Sequence, residues 1–221
     1  MGKLLSGIMG PVTGTVGDLV FTTWKGQNVV KTRPKRKAEF SENEKVGHNT
    51  FGYTQKWLTP IAPFLKAGLA NVEGFKPTLT TRNIATSLLY RDKALIEDGY
   101  NTRINPSRIT ISAGPLPLAD DLQLHFDADK SEVKVTWNPK VPVGTPGRDL
   151  SSADDQLMLL IYNPEEALVF GKVHGATRET GQQSYILPHE PYLEYHVWVA
   201  FIAEDRQSQS DSRYLGSVRV E

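Results

Sequence analysis

Glycines at positions 7, 10, 14 and 17 form the first pattern with chemical potential, because a glycine ladder lets backbone N–H groups close around a phosphate. That chemistry also needs a Gly-Lys-Ser/Thr ending set between a strand and a helix, which this segment lacks. The ladder is assigned instead to backbone that lies close against another strand. Asp127, Asp129 and Ser131 begin like a calcium loop. Glu132 stands where that loop needs Gly and Asn138 where it needs a bidentate Glu, so a strand-connecting turn is expected. The histidines His48, His125, His174, His189 and His196 show no metal-ligand spacing. Ser208, Ser210 and Ser212 lie in a polar stretch without the Gly-x-Ser-x-Gly frame of an activated nucleophile. The chain has no cysteine, which excludes thiolate metal sites and Cys nucleophiles. No catalytic, cofactor-binding or metal-binding set emerges, no cofactor is expected, and the chain reads as non-enzymatic.

The remaining chemistry is electrostatic. Lys31, Arg33, Lys35, Arg36 and Lys37 could meet phosphates, with Trp24 or Phe40 as a stacking surface. A neutral chain with 25 basic and 25 acidic residues lacks the high pI of a dedicated nucleic-acid binder. Its charge is nevertheless divided: residues 1–105 hold 15 Lys or Arg against 8 Asp or Glu, and residues 106–221 hold 10 against 17. Complementary halves favour docking, either within a chain or between copies, and they offer the basic cluster an acidic protein face.

These residues need elements to hold them. Leu19–Trp24 and Val29–Arg33 are β-prone runs around the turn Lys25-Gly26-Gln27-Asn28, a hairpin signal closed by Pro34. Ser41 followed by Glu44 is a capping box, with Phe40 placed to staple the helix it starts. Phe51, Leu58, Ile61, Phe64, Leu65 and Leu69 then recur at helical spacing, with a bend or break near Pro60 and Pro63. A second helix is expected over Arg82–Ile96, with Ile84, Leu88, Leu89 and Leu95 facing a core and Gly99 closing it. From Ile109 the period changes to short β-forming runs. These are Ile109–Ala113, Leu122–Phe126, Glu132–Trp137, Gln156–Tyr162, Leu168–His174, Gln183–Leu187, Glu194–Ala203 and Arg213–Val220. The Pro- and Gly-bearing stretch from Asn138 to Ala153 is an exposed connection. The fold class is therefore α+β. Residues 1–105 form a hairpin-plus-helix region with a basic arm, and residues 106–221 an all-β sandwich.

Val133-Lys134-Val135-Thr136-Trp137-Asn138-Pro139 resembles the second strand of a fibronectin type III domain, and Leu187 to Ala200 resembles the stretch entering its sixth strand. The resemblance implies a sandwich of immunoglobulin-like type with Trp137, Tyr195 and Trp198 in its core. It also puts Tyr195 at the tyrosine corner, its hydroxyl bonded to nearby backbone. The whole chain is similar to a domain-of-unknown-function family associated with Bacteroidota. The matching residues are Gly7, Gly10-Pro11, Gly14 and Gly17, then Trp24-Lys25-Gly26, the basic residue before Pro34, and Ser210-x-Ser212-x-Tyr214-x-Gly216. That resemblance implies no activity and no site residues.

The expected role is a structural subunit of a homo-oligomeric assembly of virion, tail or filament type. Its partners are other copies or another assembly protein, met through Gly10, Gly14, Gly17, Trp24, Lys31, Arg33, Lys35, Arg36 and Lys37. The alternatives are a monomeric module whose sandwich loops hold a protein or glycan, and a nucleic-acid-associated protein using the basic arm. Gly7, Gly10 and Pro11 break the apolar start before a secretory segment forms, and no membrane span follows. Synthesis is thus expected in the cytoplasm without a signal peptide, with later release if the chain is part of a particle.

Overall fold

The computed structural model describes residues 3–4, 12–24, 26–35, 39–72, 74–75, 78–98, 101–140, 151–190 and 192–220. The chain divides into two compact units, residues 1–45 and 46–221. The boundary expected at residue 105 does not coincide with this division, because the helices of the middle third share a core with the strands that follow.

In the first unit β1 (Lys3–Leu4), β2 (Val12–Val16), β3 (Leu19–Trp24) and β4 (Gln27–Thr32) form an antiparallel sheet in that order. The expected hairpin is β3–β4, with Phe21 opposite Val30 and Trp24 opposite Gln27. Two further strands extend it. Val16 pairs with Leu19 across a two-residue Gly17-Asp18 turn, and Gly17 has φ +58°. A turn this tight needs the left-handed region, where a side chain is strained. Gly17 therefore turns the chain and does not admit a neighbouring backbone, as had been expected.

The capping box forms before α1 (Glu42–Leu58). The Ser41 backbone N–H donates to Glu44 Oε2 at 2.9 Å, and the Glu44 N–H donates to Ser41 Oγ at 3.3 Å. The break falls at Pro60, and α2 (Ala62–Gly68) starts with Pro63 in its first turn. Leu58, Ile61, Phe64, Leu65 and Leu69 are buried as expected, but Phe51 is 55% exposed. The buried side of α1 is made by Thr50, Thr54, Trp57 and Leu58 instead. α3 (Thr81–Arg91) is capped by Thr80, whose side chain accepts from the Asn83 N–H. It ends before Ile96, correcting the longer expected helix. Lys93 adopts φ +52°, and the Ala94 N–H reaches back to the Leu89 carbonyl at 3.0 Å, a Schellman closure. Leu95 then opens a hairpin of β5 (Leu95–Asp98) and β6 (Asn101–Ile104), and Gly99 lies outside the described residues.

The later strands are β7 (Gln123–Asp127), β8 (Glu132–Thr136), β9 (Gln156–Asn163), β10 (Leu168–Lys172), β11 (Gln182–Ile186), β12 (Glu194–Ile202) and β13 (Arg213–Arg219). They form two antiparallel sheets, β11-β8-β7 and β10-β9-β12-β13. The expected Ile109–Ala113 strand is absent, because its backbone groups are taken up elsewhere. The Ile111 N–H donates to Ser212 Oγ at 3.0 Å, and the Ala113 N–H donates to the Gly68 carbonyl at 3.1 Å. The Ser112 hydroxyl donates to the Ser210 carbonyl at 2.6 Å. Ser210 Oγ accepts from the Phe201 N–H, so these serines tie a structural joint. The Asp127–Ser131 stretch is the expected turn, joining β7 to β8.

Two cores meet at one sheet. Leu157, Leu159 and Ile161 of β9 and Val197, Val199 and Phe201 of β12 face the smaller sheet, packing with Val133, Val135, Trp137 and Tyr195. Met158, Leu160 and Tyr162, with Trp198, Ala200 and Ile202, face the helices, packing with Trp57, Leu58, Leu65 and Leu88. The result is a helix layer on a sheet on a sheet. Trp137 and Tyr195 lie in the inter-sheet core as expected. Trp198 does not: strand alternation turns it to the helices, where its ring stands edge-on to Trp57 at 6.2 Å. The Tyr195 hydroxyl is buried without a hydrogen bond among the described residues, so the corner bond implied by the resemblance is not made. Gly216, at φ +115°, sits where the β12–β13 register shifts between Val197 and Trp198, a bulge that demands its freedom.

At one end of the inter-sheet core Arg178 is fully buried. Its Nη2 lies 3.2 Å from Asp155 Oδ2 and donates to the Pro117 carbonyl at 2.8 Å, and its guanidinium covers the Phe201 ring at 4.1 Å. The Trp137 Nε1–H donates to the Arg178 carbonyl at 2.7 Å. Burial pushes the Asp155 carboxyl above its ordinary value and the Arg178 guanidinium below its own, so desolvation outweighs their attraction.

Two stability measurements test this core. Trp137→Ala should lower the unfolding free energy in urea by about 3–5 kcal/mol, since it removes a large ring and the bond to Arg178; an unchanged midpoint would contradict the packing described. Arg178→Met should cost about 3–5 kcal/mol by leaving Asp155 buried and unpaired. Adding Asp155→Leu should recover part of that loss, and a double variant weaker than the single one would show that the ion pair is not the issue.

Candidate functional site

Residues paired across an antiparallel ladder share a face. In the N-terminal sheet this puts Val12, Val16, Leu19, Phe21 and Val30 on one side. Val20, Trp24 and Val29 lie on the other, among threonines, Gln27 and Lys31. No residue of β2, β3 or β4 is buried. Val16, Val30 and Trp24 are about half exposed, at 54%, 53% and 48%. β4 is one of the two edge strands and is exposed along its whole length. The chain leaves it through Arg33 and Lys35, both exposed, and the Arg33 N–H donates to the Asp18 carbonyl at 2.7 Å.

The structure therefore brings several of the expected contact residues onto one small sheet. Gly14 lies in β2 opposite Phe21, Trp24 ends β3 and Lys31 sits in β4. Gly10, Arg36 and Lys37 lie outside the described residues. What the arrangement offers chemically is an apolar face, an unpaired edge of backbone donors and acceptors among the described residues, and cations beside that edge.

The second unit carries a feature the sequence reading missed. Tyr53, Lys56, Trp57, Arg103, Glu165 and His196 line a cleft of about 590 Å³. They come from α1, β6, the β9–β10 turn and β12, so no local spacing links them. One signal was available: His196 is a polar interruption in the apolar run from Tyr195 to Ile202. His196 Nδ1 lies 2.8 Å from the Tyr214 hydroxyl. Burial lowers the His196 pKa and keeps the ring neutral near pH 7, and burial raises that of Tyr53. Among the described residues no group of three or more His, Asp or Glu is placed to hold a metal, and no helix is long and apolar enough to cross a membrane.

A search of curated proteins finds no match to the chain. A family model matches residues 11–216, taking in Gly14 and Gly17, the three helices, the strands from β2 to β12 and the Ser210 to Gly216 stretch that enters β13. On that match the chain belongs to DUF6266, a family of unknown function.

Proposed function

We propose that this chain is a non-enzymatic structural subunit of a homo-oligomeric, phage-like assembly, associating with a second copy through its N-terminal sheet. The observation that carries this reading is a sheet with apolar side chains and no buried residue in β2, β3 or β4. Strands of 5 or 6 residues need a covered apolar face to be stable in water. A neighbouring copy supplies that cover, either against the Phe21 face or along the open edge of β4. Lys31, Arg33 and Lys35 beside the edge would steer it to an acidic surface, and residues 106–221 carry the acidic excess.

We read the two sheets of the second unit as a fibronectin type III-like sandwich that serves as the rigid body of the subunit. The order β11-β8-β7 against β10-β9-β12-β13 supports this, as do Trp137 and Tyr195 in the inter-sheet core.

A chain starting at Ser41 keeps the α1 capping box and lacks the sheet. It is expected to remain folded and monomeric by light scattering, while the complete chain forms oligomers under the same conditions. If the complete chain stays monomeric at high concentration, the assembly reading fails and a monomeric binding module replaces it. Replacing Lys31, Arg33 and Lys35 with Gln should weaken self-association at low salt and leave the melting temperature unchanged. Exposed charges act within about 8–10 Å at physiological ionic strength, so an assembly size indifferent to added salt would show that charge does not join the subunits.

A further inference from the structure

The cleft is lined by residues of the second unit, and its chemistry is directional. Its volume of about 590 Å³ falls within the range of small-molecule sites. Its base is rigid: Trp57 is 4% exposed, the Tyr162 hydroxyl donates to the Trp57 carbonyl at 2.9 Å, and the two rings meet edge-on at 4.9 Å. Lys56 and Arg103 enter from different elements, and neither has a hydrogen-bond or ion-pair partner among the described residues. Glu165 contributes one carboxylate, which leaves the lining residues an excess of one positive charge at neutral pH, while Glu194 also acts on His196 from beyond the lining.

His196 adds a polar group to the lining. His196 Nδ1 is engaged with the Tyr214 hydroxyl at 2.8 Å, which leaves Nε2 as the ring nitrogen available to a ligand. Two cations from two elements, with the His196 imidazole beside them, suit a compact oxyanion. The planar guanidinium of Arg103 matches either a carboxylate or a phosphate.

We propose that this cleft binds a small organic oxyanion, a carboxylate or phosphate monoester on a compact hydroxylated frame. Arg103 and Lys56 meet the charge, His196 offers Nε2, and Glu165 accepts from the ligand's hydroxyl groups. Tyr53 lies against the carbon frame.

Titration calorimetry of the complete chain with glucuronate, glucose 6-phosphate and glucose tests this. At least one charged sugar should bind saturably at one site per chain, with glucose at least tenfold weaker. Glucuronate alone would assign a carboxylate, glucose 6-phosphate alone a phosphate ester, and binding of both a general oxyanion site. Arg103→Gln and, separately, Lys56→Gln should each weaken binding by about tenfold, the scale of one charge-assisted hydrogen bond. Glu165→Gln should tighten it by removing the like charge, an effect that a purely structural role for the cleft would not produce. Melting temperatures of the variants should match that of the parent chain. The proposal is overturned if neither charged sugar binds at tens of millimolar, if glucose binds as well as they do, or if both cation variants bind unchanged.

Discussion

The second unit depends on one sheet that is buried on both faces. β9 and β12 are neighbours in it, and from Leu157 to Tyr162 no side chain reaches solvent. A strand with one wet face alternates apolar and polar residues, whereas a strand covered on both sides must be apolar at every position. The runs Leu-Met-Leu-Leu-Ile-Tyr and Val-Trp-Val-Ala-Phe-Ile meet that condition. Odd-numbered residues of these strands fill the space toward the smaller sheet, and even-numbered residues fill the space toward the helices. Neither the helices nor the smaller sheet can be removed without wetting half of the central strands.

The polar groups sit where this double burial ends. Arg178 and Asp155 close one end of the inter-sheet core, where Pro117, Phe201 and Ser152 offset only part of their desolvation and Arg178 Nη1 makes no hydrogen bond among the described residues. His196 marks the place where β12 leaves the helix-facing core, and its ring lines the cleft. The joint from Ile109 to Leu116 runs between α2 and the loop before β13 with its backbone satisfied by Gly68, Gln209 and Ser212. Gly68 and Gly114 fit there because a Cβ would meet the Ile111 and Gln209 carbonyls.

Much of this was legible in the sequence because it is local. The capping box at Ser41 and the β3–β4 hairpin depend on neighbours a few residues apart, the β-forming runs from Ile109 onward are local in composition, and the box, the hairpin and seven of the eight expected strands are present. The misreadings share a different cause. Leu95 and Ile96 continue a helical spacing, but the left-handed turn at Lys93 stops the helix first. Ile109–Ala113 has strand-like residues, yet strands are defined by partners, and its partners are a loop and a helix end. The fibronectin type III resemblance implies Trp198 in the inter-sheet core, and it carries no layer on the far face of that sheet. The unbroken apolar runs of β9 and β12 were the evidence for it. The cleft was invisible for the same reason, since its residues meet only once the helices lie on the sheet.

The helix layer also sets an order of events. The Tyr162 hydroxyl that holds Trp57 lies 105 residues farther along the chain. Contacts between such distant residues form late, because the intervening loop must close before they contribute. During synthesis at roughly 5–20 residues per second, the apolar sides of α1 and α2 emerge on the order of 5–20 seconds before β9 exists to cover them. The capped start of α1 and the Schellman closure of α3 can hold the helices locally during that interval. Their shared core waits for the central sheet, which makes the nascent middle third of this chain the part most exposed to wrong association.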